Sequence, residues 1–308
     1  MRRQLCGYVS AALCAAALVQ IPAPPAGASV TAGTVCRSSS NPAVAARIGS
    51  GILAARRGRA SAVAVGVDDP GKGLVCWLNG SERFDSASVV KVIILGALLR
   101  TALDQHRYLT GTEAALARAM ITRSDNAAAS ALWAELGRRS LQGFLDAAAM
   151  RQTSLGPGGY WGLTQITAHD QILLLGLLLN HNRILDDASR RYALGLMADV
   201  IVSQRWGVTA GAPTSLTAHV KNGWLPRAAH GWRVHSIGCF TGRGGGYSIV
   251  VLTEDDPSMA YGIATIEAIA TVINRGLNPG ARSVVPLSVP SKTTGTPDER
   301  IPALPGIP

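Results

Sequence analysis

Lysine is scarce in this sequence: it occurs only at positions 72, 91, 221 and 292, and the other basic residues are arginines. Aromatic residues make up 5% of the chain, and few of them lie among the scattered arginines. A nucleic-acid surface normally clusters its basic residues on one face and adds aromatic rings for stacking. The formal net charge of +10 therefore does not indicate a nucleic-acid partner.

Three common catalytic or binding patterns are also missing. None of the six histidines has the spacing of a zinc site. No G-x-S-x-G sequence occurs, which excludes the usual nucleophile turn of α/β-hydrolases. Residues 66–72 imitate a phosphate-binding loop, but Gly73 stands where Ser or Thr is needed, and a hairpin rather than a helix is predicted to follow. The sequence implies no metal ion and no organic cofactor.

The longest apolar run, from Val9 to Ile21, lies near the N-terminus. Two arginines precede it and Ala26-Gly27-Ala28 follows it, which is typical of a secretory signal cleaved before Ser29. A membrane anchor is the alternative, but the run is shorter than the roughly 20 residues that span a bilayer, and prolines end it. Residues 1–28 are therefore predicted to be a signal peptide, and the protein is predicted to be secreted.

Removal of the signal would lower the formal net charge from +10 to +8, because residues 1–28 contain two arginines and no other charged residue. A basic exported protein would be attracted to anionic cell-wall polymers. A charged soluble surface without such a partner explains the charge equally well. We expect the protein to be a monomer.

Three cysteines, Cys36, Cys76 and Cys239, would remain after cleavage. In an oxidising compartment this number allows one disulfide and leaves one thiol. Cys36 and Cys76 are the favoured pair, since Cys239 lies in a strongly apolar predicted strand. Three buried free thiols are the alternative.

The hydrophobic pattern changes along the chain between the period of helices and that of strands. Helices are predicted at 41–57, within 88–203 and at 260–275, and strands at 61–68, 74–78, 216–222, 232–240 and 247–253. This order predicts an α+β fold, in which terminal helices flank an antiparallel five-stranded sheet and the middle helices form an all-helical lobe. A cleft between two such lobes is a natural place for a site.

One domain is expected over residues 29–278. Its sheet lobe would consist of residues 41–84 and 205–278, and its helical lobe of residues 85–204. Residues 279–308 contain seven of the sixteen prolines and are predicted to form a flexible tail.

Ser88 stands at the predicted start of an apolar helix, and Lys91 follows three residues later. Residues three apart lie on one face of a helix, so the Lys91 amine can reach the Ser88 hydroxyl. The neighbours of Lys91 are apolar, and burial disfavours a charged ammonium, so Lys91 could act as a neutral base. For this motif alone, a capping serine followed by a lysine that extends to solvent is the alternative.

Ser124-Asp125-Asn126 precedes another predicted helix. All three residue types also serve as helix caps, which is the structural alternative. Beside a neutral lysine, the Ser124 hydroxyl could relay a proton to a leaving amine. Asn126 could form a hydrogen bond with Lys91 or with a substrate amide.

Lys221-Asn222-Gly223-Trp224 lies at the end of a predicted strand. Gly223 permits a ligand to approach the backbone closely. The backbone N–H of Trp224 could then donate to an oxyanion. A strand end with a solvated lysine is the alternative.

Together, the three motifs resemble the S-x-x-K, S-D-N and K-T-G set of class A β-lactamases and penicillin-binding proteins. The resemblance covers about residues 41–278 and implies a serine hydrolase that forms an acyl-enzyme. It implies that the substrate is a β-lactam or the acyl-D-alanyl stem peptide of peptidoglycan. A D-alanyl-D-alanine carboxypeptidase and a β-lactam-binding sensor without turnover are the alternatives.

The resemblance also implies a role for each motif residue. Ser88 would be the nucleophile and Lys91 its base in acylation. Ser124 would relay the proton, and Lys221 would be its electrostatic partner. The backbone N–H groups of Ser88 and Trp224 would form the oxyanion hole. The residues that contact substrate would be Asn126, Asn222, Gly223 and Trp224.

Three departures from the family pattern are present. Asn222 replaces the usual Thr or Ser, and the interval from Ser88 to Ser124 is short, which predicts that part of the helical lobe is missing. Class A enzymes use a loop glutamate to activate the deacylating water, but residues 154–168 contain no Asp or Glu. Asp170 is expected to cap the next helix. The pattern therefore favours acylation and does not favour fast hydrolysis of the acyl-enzyme.

Overall fold

The apolar runs form an antiparallel six-stranded sheet in the computed structural model, which describes residues 35–243 and 245–283. The strands in the described residues are β1 (Cys36–Ser38), β2 (Ala62–Asp69), β3 (Leu74–Leu78), β4 (Phe84–Asp85), β5 (Gln165–Ile166), β6 (Thr217–Pro226), β7 (Trp232–Gly242) and β8 (Gly245–Asp256). The order in the sheet is β1-β3-β2-β8-β7-β6. The short strands β4 and β5 pair with each other in a separate sheet. Strand β6 is one edge of the large sheet.

The predicted five-stranded sheet is one strand short, because β1 was not predicted. A three-residue strand is too short to produce an alternating pattern. Cys36 of β1 lies directly opposite Cys76 of β3, and the two form a disulfide, which confirms the predicted pairing. Cys239 is a buried free thiol. The disulfide thus fastens the added strand to the edge of the sheet opposite β6.

Helices pack on the sheet and fill the interval between β4 and β6. They are α1 (Pro42–Arg56), α2 (Val90–Asp104), α3 (Gly111–Thr122), α4 (Asn126–Ala147), α5 (Ala168–Leu179), α6 (Asp187–Ala198) and α7 (Met259–Leu277). The terminal helices α1 and α7 pack against each other, and α7 also packs against β7 and β8. Helix α4 is interrupted at Gly137, whose φ of 64° is not helical. The α+β architecture predicted from the sequence is confirmed.

Helix α2 is buried on almost every side, since all residues from Val90 to Leu99 are buried. A helix that is apolar around its whole circumference belongs inside a protein. Gly96 permits this packing: a Cβ there would lie 2.4 Å from the Phe144 ring of α4. The turn that precedes α2 contacts the edge strand β6. The Ser88–Lys91 segment is therefore held between the interior of the helices and the edge of the sheet.

The ends of the chain lie mostly outside the described residues. The predicted signal at 1–28 and residues 284–308 of the predicted tail belong to these parts. Residues 279–283 are described, and here the structure differs from a free tail: Ser283 pairs with Pro213, and the Thr214 N–H donates to the carbonyl of Arg282 at 2.9 Å. In the described ranges, no helix combines the length and the apolar character needed to cross a membrane.

Candidate active site

Ser88 lies in a short 3₁₀ turn, Ala87–Val89, that continues into α2. The turn is built on Ala87, which has a φ of 46°. This left-handed conformation is costly for a residue with a Cβ, and such strain is concentrated at functional sites. Ser88 itself is 1% exposed. The predicted helix start is thus a tighter turn, and it places the serine at the buried end of the helix.

Lys91 is fully buried one turn after Ser88. Its Nζ lies 2.9 Å from Ser88 Oγ and 3.1 Å from Ser124 Oγ. It also donates to two carbonyl oxygens, the Ser124 backbone O at 2.7 Å and Asn126 Oδ1 at 2.6 Å. The alternative of a lysine that extends to solvent is therefore wrong. These contacts join the first two motifs at one amine, although the motifs are 33 or more residues apart.

Ser124 lies between the two motif lysines. Its Oγ is 3.1 Å from the Nζ of Lys91 and 2.9 Å from the Nζ of Lys221. The backbone φ of Ser124 is 59°, a left-handed conformation that residues other than glycine rarely adopt. Lys221 is fully buried and also donates to the backbone carbonyl of Asn222 at 2.8 Å. The structure thus connects Ser88, Lys91, Ser124 and Lys221 in one continuous chain of hydrogen-bonding groups.

The third motif brings the β6 backbone, but not the Asn222 side chain, to the serine. Asn222 is fully buried, and its Nδ2 donates to the backbone carbonyls of Gln204 and Trp206 at 2.9 Å each. The substrate contact predicted for Asn222 stays a prediction, and the N–H groups of its side-chain amide are committed to this segment. An asparagine can hold two backbone carbonyls with one NH₂ group, which Thr or Ser cannot do.

Gly223 lies directly against the serine turn. A Cβ at this position would be 2.8 Å from the backbone N of Ser88 and 2.9 Å from that of Val89. Only glycine therefore permits β6 to approach the start of α2 so closely. Trp224 follows on the same strand, and its indole packs near that of Trp206, with 6.0 Å between ring centroids. Backbone N–H groups from two elements can thus lie near one substrate oxygen, as an oxyanion hole requires.

The loop between α4 and α5 places an aromatic ring beside Lys91. The Lys91 Nζ lies 4.8 Å from the centroid of the Trp161 ring. The indole Nε1 donates to Ser130 Oγ on α4 at 3.0 Å. The sequence drew attention to this loop only through its lack of an acid. A single tryptophan among glycines carries no periodic signal, so its contact with Lys91 could not have been predicted.

The nearest acids in the sequence are engaged elsewhere. Asp170 does not cap α5 as predicted: Thr167 is the cap, and Asp170 lies in the first turn. Its buried carboxylate accepts from the Gln152 N–H at 2.9 Å and from the Thr153 hydroxyl at 2.8 Å. The carboxylate is therefore used to hold the start of the loop.

Glu135, the only glutamate between Ser124 and Lys221, belongs to a separate cluster on the helices. The Arg107 guanidinium lowers the pKa of Glu113 to about 2 through paired hydrogen bonds. Burial and the adjacent Glu113 carboxylate raise the pKa of Glu135. The Glu135 carboxyl is thus coupled to this ion pair of the helical lobe.

His235 supports the serine segment from the middle of the sheet, a role that no motif in the sequence indicates. Its Nδ1 accepts from the Thr253 N–H at 3.2 Å, so Nε2 carries the proton and donates to the Asp85 carbonyl at 2.8 Å. The ring is fully buried against Phe84. Burial lowers the pKa of His235 to about 4. The neutral imidazole therefore ties β7 and β8 to β4, which leads into Ser88.

The protein is expected to lose stability as the pH falls from about 6.5 to about 4. In this window the unfolded histidine binds a proton and the buried His235 does not, so the free energy of unfolding decreases by about 3 kcal/mol. Urea unfolding at several pH values measures the slope. His235→Gln should have a shallower slope than the wild type, whereas the exposed His106, replaced by Asn, should leave it unchanged. Equal slopes in His235→Gln and the wild type would contradict the assignment.

The arrangement can move a proton along a buried path. A serine hydroxyl next to an amine, with a second hydroxyl on the far side of that amine, is the arrangement used for nucleophilic attack with proton relay. Within residues 35–243 and 245–283, no three His, Cys, Asp or Glu side chains are grouped so that they could hold a metal ion. The site residues themselves supply neither a thiolate nor an imidazole ligand.

Comparison with known proteins places this chain in a family. A model described as the beta-lactamase enzyme family matches residues 111–277, which is more than half of the chain. No curated protein sequence matches the chain significantly. The family match includes the second and third motifs, and the Ser88–Lys91 motif lies just before it.

Solved structures share the fold at low sequence identity. An ancestral class A β-lactamase, that of the last common ancestor of Gram-negative bacteria, is 22% identical, with a TM-score of 0.62 over 73% of this chain and 98% of that one. A β-lactamase from Sphaerobacter thermophilus is 21% identical, with a TM-score of 0.64 over 76% and 98%. A class A β-lactamase from Bacteroides cellulosilyticus is 16% identical, with a TM-score of 0.67 over 75% and 97%. The chain belongs to the beta-lactamase enzyme family and has the fold of its class A members.

Proposed function

We propose that this protein is an exported serine hydrolase in which Ser88 is acylated by a β-lactam or by an acyl-D-alanyl peptide. The observation that carries the proposal is the buried contact of Lys91 Nζ with both Ser88 Oγ, at 2.9 Å, and Ser124 Oγ, at 3.1 Å. A serine needs a base within hydrogen-bond distance to attack a carbonyl, and Lys91 is at that distance.

Acylation would proceed with these groups as follows. The Ser88 oxygen attacks the carbonyl carbon of the amide, and its proton passes to Lys91. The oxyanion accepts hydrogen bonds from the backbone N–H groups of Ser88 and Trp224. The C–N bond then breaks, and the leaving nitrogen takes a proton from Ser124, which Lys91 reprotonates. Lys221 holds the Ser124 hydroxyl in place and attracts the carboxylate of the substrate.

Hydrolysis of the resulting ester lacks an evident base. Residues 154–168 contain no carboxylate, and Asp170 is buried against Gln152 and Thr153. A carboxylate is the usual group that activates water for this step. The lack of such a carboxylate favours slow turnover of the acyl-enzyme. It also favours the second candidate function, which is a D-alanyl-D-alanine carboxypeptidase that β-lactams inhibit, or a sensor. Export, a monomeric state and attraction to anionic cell-wall polymers are further parts of the proposal.

The penicilloyl-enzyme is expected to form readily and to decay over minutes or longer. Stopped-flow measurement of acylation, followed by intact-protein mass spectrometry of the adduct over time, tests this. An acyl-D-alanyl-D-alanine peptide in the same assay distinguishes a peptidase, which releases D-alanine, from a sensor, which does not. Penicillin turnover at about 10 s⁻¹ or faster without adduct would show that another residue supplies the base. In that case, Asp170 would be the first residue to replace.

A further inference from the structure

We propose that Trp161 is a positioning residue that holds Lys91 and keeps it from serving as the base for the hydrolytic water. This inference rests on the proposed function and concerns the second half of the reaction. In the absence of a loop carboxylate, Lys91, whose Nζ lies 2.9 Å from Ser88 Oγ, is a group that could accept a proton from water. Trp161 lies against that same amine.

The indole ring lies beside the amine that would have to activate such a water. The Lys91 Nζ contacts Ser88 Oγ at 2.9 Å on one side and lies 4.8 Å from the Trp161 ring centroid on another. The same amine also donates to Ser124 and Asn126. A water that lost its proton to Lys91 while attacking the ester would have to lie beside both atoms.

The helix that carries Asn126 also fixes the ring. Ser130 lies one turn after Asn126 on α4, and its Oγ accepts from the Trp161 indole at 3.0 Å. Helix α4 thus acts on Lys91 directly through Asn126, and through Ser130 by way of Trp161. Loss of the Ser130 hydroxyl should free the indole without removing the ring.

The serine turn holds the backbone of the loop. The Ser86 N–H donates to the Thr164 carbonyl at 2.8 Å, and Ser86 Oγ donates to the Gly162 carbonyl at 3.3 Å and contacts that of Trp161 at 3.4 Å. Gly156 closes the other side of the loop, since a Cβ there would lie 2.1 Å from the Tyr160 carbonyl oxygen. The loop that carries Trp161 is therefore connected to the nucleophile segment through Ser86, two residues before Ser88.

An aromatic face favours an ammonium over a neutral amine, because the ring quadrupole attracts the cation. Lys221, which shares Ser124 Oγ with Lys91, acts in the opposite direction, because two like charges in proximity disfavour each other. Trp161 thus offsets part of the cost of a charged Lys91 in this buried site. Only a neutral Lys91 accepts a proton, so the ring should raise the pH at which a reaction step with Lys91 as base reaches half of its maximal rate.

The step that Trp161 would slow is the hydrolysis of the ester. Water attacks the carbonyl carbon and gives one proton to the base, and the bond between that carbon and Ser88 Oγ breaks. The Ser88 oxygen takes the proton back, and the product leaves as a carboxylic acid that ionises. No oxidant or further reactant is required.

Trp161→Leu, which removes the aromatic face, is expected to shorten the lifetime of the penicilloyl adduct about tenfold. It should also move the pH of half-maximal acylation down by roughly half to one pH unit, the effect of losing one cation–π contact. Trp161→Phe keeps an aromatic face but loses the N–H that Ser130 Oγ accepts, so its pH midpoint should be close to that of the wild type and its adduct lifetime close to that of Ser130→Ala. Ser130→Ala should give a smaller acceleration. Mass spectrometry of the adduct over time measures the lifetime, and stopped-flow acylation at a series of pH values measures the pH midpoint.

Trp77→Leu is the matched control, since this partly buried tryptophan contacts His169 and not the site. It should leave the lifetime and the pH midpoint unchanged. Wild-type values in Trp161→Leu and Ser130→Ala would overturn the inference while leaving the proposed function intact. A wild-type protein that forms no adduct would instead overturn the proposed function. If Trp161→Leu does not fold, as thermal unfolding would show, the values for Ser130→Ala and Trp161→Phe decide between the outcomes.

Discussion

Replacement of Ser88 by alanine is expected to abolish covalent labelling by penicillin. The label requires a nucleophile, and Ser88 Oγ lies 2.9 Å from a buried amine that can accept its proton. Ser124 also contacts that amine, but its Oγ is held between Lys91 and Lys221. The expected mass spectrum of Ser88→Ala after incubation with penicillin is therefore that of the unmodified protein, even after times at which the wild type is fully modified.

A matched control for this experiment is Ser86→Ala. Ser86 is also fully buried and lies two residues away, but its hydroxyl contacts backbone carbonyls and no amine. This variant should retain the label. Digestion and peptide mapping of the wild-type adduct should identify the modified serine as Ser88. Persistent labelling of Ser88→Ala at wild-type extent would remove Ser88 from the role of nucleophile.

Replacement of Lys91 by alanine is expected to lower the acylation rate constant by about 10²- to 10⁴-fold, the usual contribution of a general base. The amine is fully buried and contacts Ser88 and Ser124 together, so its loss removes both the base and the relay. Stopped-flow acylation at saturating penicillin measures the rate constant. A circular dichroism spectrum and a thermal unfolding curve establish whether the variant is folded.

Lys91→Arg tests whether a positive charge at this position is sufficient for acylation. A guanidinium remains protonated at any accessible pH and cannot accept the serine proton, so this variant should be as slow as Lys91→Ala. Lys72→Ala is the control, because Lys72 is a partly exposed lysine paired with Asp69 at 2.9 Å. It should acylate at the wild-type rate. Acylation of Lys91→Arg at that rate would rule out Lys91 as the base.

The parts of the fold that could be predicted from the sequence are those specified by long local patterns. Five strands and the terminal helices occur where hydrophobic periodicity predicted them, with bounds that differ by up to a few residues. The three-residue strand β1 could not be predicted, because its pairing depends on β3 and on the Cys36–Cys76 disulfide rather than on its own residues. Tertiary contacts determine such short elements.

In the candidate site, too, local contacts could be predicted from the sequence and non-local contacts could not. The contact of Ser88 with Lys91 follows from a spacing of three residues within one turn, and the sequence contains that information. The orientation of Asn222 depends on carbonyl groups of residues 204 and 206, and the position of Trp161 depends on Ser130. Neither contact is local, so each required the folded chain. The sequence located the loop of residues 156–162, and the structure located the ring within it.

The hydrogen bonds of the Lys91 amine determine where its lone pair points after the amine loses a proton. Two of its contacts, the Ser124 carbonyl and Asn126 Oδ1, are acceptors only, so each must receive an N–H at 2.7 and 2.6 Å. A neutral amine has only two N–H groups, and these two oxygens take both. The lone pair is then directed at the hydroxyl side, where Ser88 Oγ lies at 2.9 Å and Ser124 Oγ at 3.1 Å. Deprotonation thus leaves the lone pair on the side of the two hydroxyl groups, where it can accept from one of them without the rotation of a side chain.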